Sequence, residues 1–137
     1  MRRLSLLALL LAGPASAQNV DSAPPPAITF EADRDRRVND ALRIAREAQA
    51  YLRRPRRDGG GGGRFDGFSL RSLHYPVDAD GRYVSPYSTA GETCTFRATV
   101  RRDGAAVITA ASDRYSGLVQ VIVSGPREDD VTVVLTE

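Results

Sequence analysis

The chain is 137 residues long, with 19 basic against 17 acidic residues, one histidine and one cysteine. One cysteine excludes an internal disulfide, and one histidine beside it is too small a ligand set for a zinc site. The formal net charge of +2 rests on Arg2 and Arg3, so it says nothing of a nucleic-acid partner if the first segment is removed.

That segment reads as a leader. Arg2 and Arg3 precede an apolar run from Leu4 to Ala12, far short of the roughly 20 residues a bilayer span needs. Pro14 breaks the run, and Ala15-Ser16-Ala17 has the small-x-small pattern that a signal peptidase accepts. Residues 1–17 are therefore expected to be a signal peptide, Gln18 the first mature residue, and the destination the periplasm or the outside of the cell. No membrane span would remain after cleavage. Without Arg2 and Arg3 the basic residues number 17, equal to the acidic ones, and 137 less 17 leaves 120 residues, enough for one domain. Every basic residue is an arginine.

Residues 18–28 hold Pro24, Pro25 and Pro26 among small and polar neighbours, the composition of an extended leader. The globular domain is expected over 29–137. Its first element is a helix: Val38, Ala41, Leu42, Ala45, Ala48 and Leu52 recur at three- and four-residue spacing and form one apolar stripe. Asp33 with Arg37, and Arg43 with Glu47, are four apart and are expected to pair along its exposed side. Acids early (Glu31, Asp33, Asp35) and arginines late (Arg53, Arg54) suit the helix dipole. Pro55 ends the helix at Arg53 or Arg54. A single helix cannot hide its own stripe, so it must lie on a sheet.

Gly59 to Gly63 follow, a flexible passage from helix to sheet with no Gly-Lys-Ser/Thr to make it a phosphate loop. Phe68, Leu70 and Ser72 alternate as a first short strand. Asp78-Ala79-Asp80-Gly81 turns the chain into Arg82-Tyr83-Val84, where Pro86 marks a strand end or an edge. The longest alternating run is Glu92 to Arg101, placing Cys94, Phe96, Ala98 and Val100 on one face, with Cys94 a buried structural thiol. Arg102-Asp103-Gly104 turns into Ala105 to Ala111. Leu118 to Val123, a turn at Gly125-Pro126, and Val131 to Leu135 complete the chain. Strands joined by short turns without intervening helices predict an antiparallel meander. The expected class is α+β: one N-terminal amphipathic helix packed on an antiparallel sheet of about five or six strands.

The run Ala45, Ala48, Gln49, Ala50, Tyr51, then Arg53-Arg54-Pro55, the glycines, Phe65, Gly67, Phe68, Ser69 and Leu70 resembles the periplasmic domain of type IV pilin-like proteins, the pseudopilins. Asp78, Gly81 and Tyr83 are similar to a hairpin position in such domains. The chain departs from the family in lacking the long hydrophobic N-terminal helix that forms a filament core. The resemblance thus implies a soluble, non-enzymatic structural or interaction module that contacts other envelope, pilus or secretion proteins.

The residues offer little chemistry besides. Arg53, Arg54, Arg56, Arg57 and Arg64 are the densest positive cluster and the candidate contact for an acidic protein patch; the alternative is an anionic polymer such as DNA or an acidic glycan. Only Tyr51 and Phe65 lie near them for base stacking. Asp78 to Gly81 lacks the later oxygen ligands of a calcium loop. His74 and Cys94 are the one conceivable nucleophilic pair, and no Gly-x-Ser-x-Gly elbow exists. No cofactor and no metal are expected.

Overall fold

A computed structural model describes residues 28–54, 65–87 and 91–136. The expected signal peptide, most of the expected leader, the glycine run and Arg56, Arg57 and Arg64 lie outside the described residues.

Helix α1 spans Phe30–Leu52. Thr29 caps it: its Oγ1 accepts the Ala32 amide at 3.1 Å, satisfying one of the unpaired N–H groups of the first turn. The helix stops at Leu52, with Arg53 as C-cap, where the approach of Pro55 requires it. Ala41, Ala45, Ala48 and Leu52 are buried as the spacing predicts, and Ile44 joins them. Val38 and Leu42 are only partly buried, at the margin of the core.

The strand expected over Phe68 to Ser72 does not form. The chain instead makes a 3-10 turn at Arg71–Leu73. Ser69 and Ser72 explain it: each hydroxyl accepts the other's backbone amide, at 3.2 and 2.9 Å, and offers the chain an alternative to a ladder. Phe65, Phe68 and Leu70 are buried all the same, and Phe68 meets Tyr51 edge-on at 5.5 Å.

Five strands follow: β1 (Tyr83–Tyr87), β2 (Glu92–Val100), β3 (Ala106–Ser112), β4 (Leu118–Val123) and β5 (Val131–Thr136). They form one antiparallel sheet in chain order. Asp78 sets the entry turn with a carboxylate that accepts the Asp80 and Arg82 amides and Arg82 Nε. Those bonds hold its charged form, so its carboxyl titrates below the usual range. Gly104, at φ 93°, supplies the left-handed residue of the β2–β3 hairpin.

The register sorts the inner face into three rows across the sheet. They are Phe96–Ala110–Val119–Leu135, Ala98–Ile108–Val121–Val133 and Val100–Ala106–Val123–Val131. Helix α1 lies across β3 and β4, so the middles of these rows are buried, while ends such as Leu135 and Val133 run out from under it; Phe96, beside Tyr83 of β1, stays buried. Val100, expected inside with Cys94 and Phe96, is such an end and is exposed. The core of the domain is an alanine stripe resting on small and β-branched strand residues, a pairing that allows close approach.

Candidate docking surface

The predicted arginine cluster divides. Arg53 donates to the Pro126 carbonyl at 2.8 Å, and the Arg54 guanidinium sits over the Tyr51 ring at 4.4 Å, within cation–π range. Arg56, Arg57 and Arg64 lie outside the described residues. Arg53 works with two neighbours on the helix. Gln49 donates to the Gly125 and Arg127 carbonyls, and Arg46 donates to that of Glu128. Four consecutive carbonyls of the β4–β5 connection are thereby held to the helix. Gly125 is needed there, because a Cβ would come within 2.6 Å of the Asp130 carboxylate.

The two expected salt bridges are both different from the prediction. Asp33 and Arg37 do pair, Nε to Oδ2 at 2.9 Å, but inside the protein and not on its exposed side. Arg37 also donates to the Gly117 carbonyl at 3.1 Å, tying the start of α1 to the β3–β4 connection. The signal for this was present: Asp33 and Arg37 extend the buried stripe of Ala41 and Ala45 at the same four-residue spacing. Arg43 and Glu47, expected to meet, turn elsewhere. Arg43 bonds to Asp40, and Glu47 accepts the Tyr75 hydroxyl at 2.9 Å. Burial and the neighbouring Glu47 raise the Tyr75 phenol above its ordinary range.

A second buried acid, Glu92, opens β2. Its Oε2 accepts the Ile28 amide, while the Tyr115 hydroxyl donates to the Ile28 carbonyl. Both polar groups of one residue are thus pinned just before α1. Alternation gives no hint of this, since a glutamate at a strand end reads as a solvated one.

The described residues assemble little for catalysis. Cys94 is fully buried, whereas His74 is exposed, in the left-handed conformation at φ 70°. A depression of about 400 Å³ beside the β2–β3 hairpin is lined by Phe65, Asp66, Val100, Arg102, Asp103, Gly104 and Ser124, with neither His nor Cys among them. No group of three or more metal-ligating side chains occurs among the described residues, and no helix among them is long and apolar enough to cross a membrane.

The sheet edges are where the surface is unusual. At β1 the outer edge carries Pro86 inside the strand, which removes one donor and blunts pairing with another chain. At β5 the strand Val-Thr-Val-Val-Leu-Thr has neither proline nor charge, and residues 132–136 are all exposed. The rows show why. Exposure rises from 1% at Val119 to 50% at its neighbour Leu135, and from 0% at Val121 to 39% at Val133. The helix covers β4 and leaves β5 uncovered. On that side Arg34, Val38, Leu42 and Arg46 follow at four-residue spacing along one flank. Arg46 touches the connection before β5, and Arg34 lines a shallow notch with Leu135 and Thr136. Val38 and Leu42, between those two arginines on the same flank, are half-buried.

Comparison with protein families, with curated proteins and with solved structures gives no match.

Proposed function

We propose that this chain is an exported, non-enzymatic interaction module of pilin-like build that docks on another protein of the cell envelope through the free edge of β5. The observation that carries the reading is the contrast between the two sheet edges: β1 is blunted by Pro86, while β5 offers an uncharged, apolar strand with no device against pairing. A peptide or strand added there gains main-chain hydrogen bonds along the edge, and Val133 and Leu135 offer it side-chain contacts on the inner face. The helix over an antiparallel meander fits the head domain of a pilin-like protein. The burial of Cys94 away from solvent fits a thiol that packs and does not react.

The anionic-polymer reading is weakened by Arg53, whose guanidinium is already engaged with the Pro126 carbonyl. A photo-crosslinking residue placed at Val134, compared with one at Arg36 on the helix, tests the docking reading in the cells that make the protein. Discrete crosslinked products at Val134 and none at Arg36 are expected. Crosslinks at Arg36 alone would overturn it.

A further inference from the structure

The partner of β5 can be named from its own geometry. We propose that it is β5 of a second copy of this chain, paired antiparallel about a two-fold axis that passes through Val134 and runs perpendicular to the sheet. This rests on the reading of β5 as the docking edge.

Three observations lead there. The first is parity. A two-fold perpendicular to the sheet keeps inner face with inner face, so the axis must pass through a residue and not between two. With Val134 on the axis, Val133 of one copy stands opposite Leu135 of the other, and Thr132 stands opposite Thr136. The two exposed apolar side chains that β5 presents on the inner face then cover each other, and two five-stranded sheets become one of ten strands. The second is the flank of α1. Arg34 on that flank lines a notch with Leu135 and Thr136 in each copy, so pairing sets the two notches on either side of one apolar strip made by Val133 and Leu135 of both copies.

The third is charge. Within Val131–Thr136 no charge would face its own image, the repulsion that ordinarily prevents such self-pairing. Just beyond the strand, complementary charges meet. Arg34 lines the notch at the Leu135–Thr136 end, and the acidic turn Glu128–Asp130 immediately precedes Val131. Antiparallel pairing sets the first end of one copy against the second end of the other. Arg34 then approaches the acidic turn, whose three carboxylates outnumber the Arg127 that pairs with Asp129 at 3.5 Å, and in which the Asp129 side chain is 78% exposed.

Sedimentation equilibrium of the exported chain should give twice the monomer mass over a wide concentration range. Leu135→Lys should give the monomer with the same far-UV circular dichroism. Should that variant fail to fold, Val134→Lys, altered on the outer face away from the core, serves the same purpose. The register is read by disulfides. Across the axis Val134 faces itself at a Cα separation of about 4.5–5.5 Å, within disulfide range. Val134→Cys should therefore form a covalent dimer under mild oxidation, whereas Thr132→Cys forms one only when mixed with Thr136→Cys. Arg34→Glu should weaken the dimer about fivefold, and Asp129→Arg added to it should restore most of the loss.

A monomer at every concentration overturns the dimer while leaving the docking reading intact, provided the Val134 crosslinks in cells persist with a different protein. A dimer untouched by Leu135→Lys, or a Thr132→Cys chain that oxidises with itself, overturns the proposed pairing.

Discussion

Replacing Asp33 by Ala removes the counter-ion of Arg37, whose side chain is 2% exposed. Breaking one side of such a buried pair costs about 3–5 kcal/mol, because the remaining charge has neither water nor partner. Two things adjust the figure here. Arg37 keeps its bond to the Gly117 carbonyl, which softens the loss. Asp33 also lies in the first turn of α1, where a negative charge adds about 0.3–1 kcal/mol through the helix dipole. A loss near 3 kcal/mol follows, a large share of the roughly 5–15 kcal/mol total of a domain this size. The double variant Asp33→Leu/Arg37→Met should fare better than either single change. It removes both charges together, along with Asp33 Oδ1, a buried oxygen with no hydrogen-bond partner among the described residues. Apolar replacement of a whole buried pair is often neutral. Urea unfolding followed by circular dichroism measures all three, with the Asp33→Ala midpoint falling by about 2 M. A loss below about 1 kcal/mol for Asp33→Ala, or a double variant as unstable as the two singles summed, would refute the reasoning.

Three further outcomes are expected. Phe96→Ala, which empties a fully buried position of an inner row, should cost about 3–5 kcal/mol and lower the melting temperature accordingly. Cys94 should react with a thiol reagent only once denaturant is added, and rapid labelling of the native protein would contradict its burial. The Tyr75 phenol titrates above its unfolded value of 10.0, through burial first and then its bond to Glu47. The neutral phenol therefore contributes stability that is present below about pH 10 and lost as pH rises further. Tyr75→Phe should flatten that alkaline loss, as read from thermal melts across the range, and an unchanged alkaline slope would speak against it.

Much of this architecture is legible in the residues because alternation and turn chemistry agree over most of it. Leu118 to Val123 alternates, is flanked by turn residues, and forms a strand over those same bounds. The hairpin around Asp103-Gly104 and the end of α1 ahead of Pro55 are equally local in origin. Phe68 to Ser72 misleads, because two serines three apart satisfy each other's amides and win over a pattern too short to enforce pairing. The polar ties are harder. Asp33 and Arg37 sit on the stripe, but an ion pair at four-residue spacing looks the same on either face of a helix. Their burial depends on the Gly117 carbonyl, 80 residues downstream of Arg37. The arginine cluster was visible as a density of charge, whereas the engagement of Arg53 with Pro126 depends on tertiary packing. The edge proposed for docking was half legible. Pro86 in one strand and a charge-free final strand are printed in the chain, but which strands lie at the edges, and that α1 stops short of β5, only the assembled sheet shows.

The most direct test of β5 as the docking strand is amide hydrogen exchange, comparing the chain dispersed as a monomer with the chain bound to whatever crosslinks at Val134. Slowed exchange over Val131–Thr136 in the bound form, with β1 unchanged, is the predicted result. Protection at the Arg53–Arg54 end of the helix, with exchange in β5 the same in both states, would contradict the account.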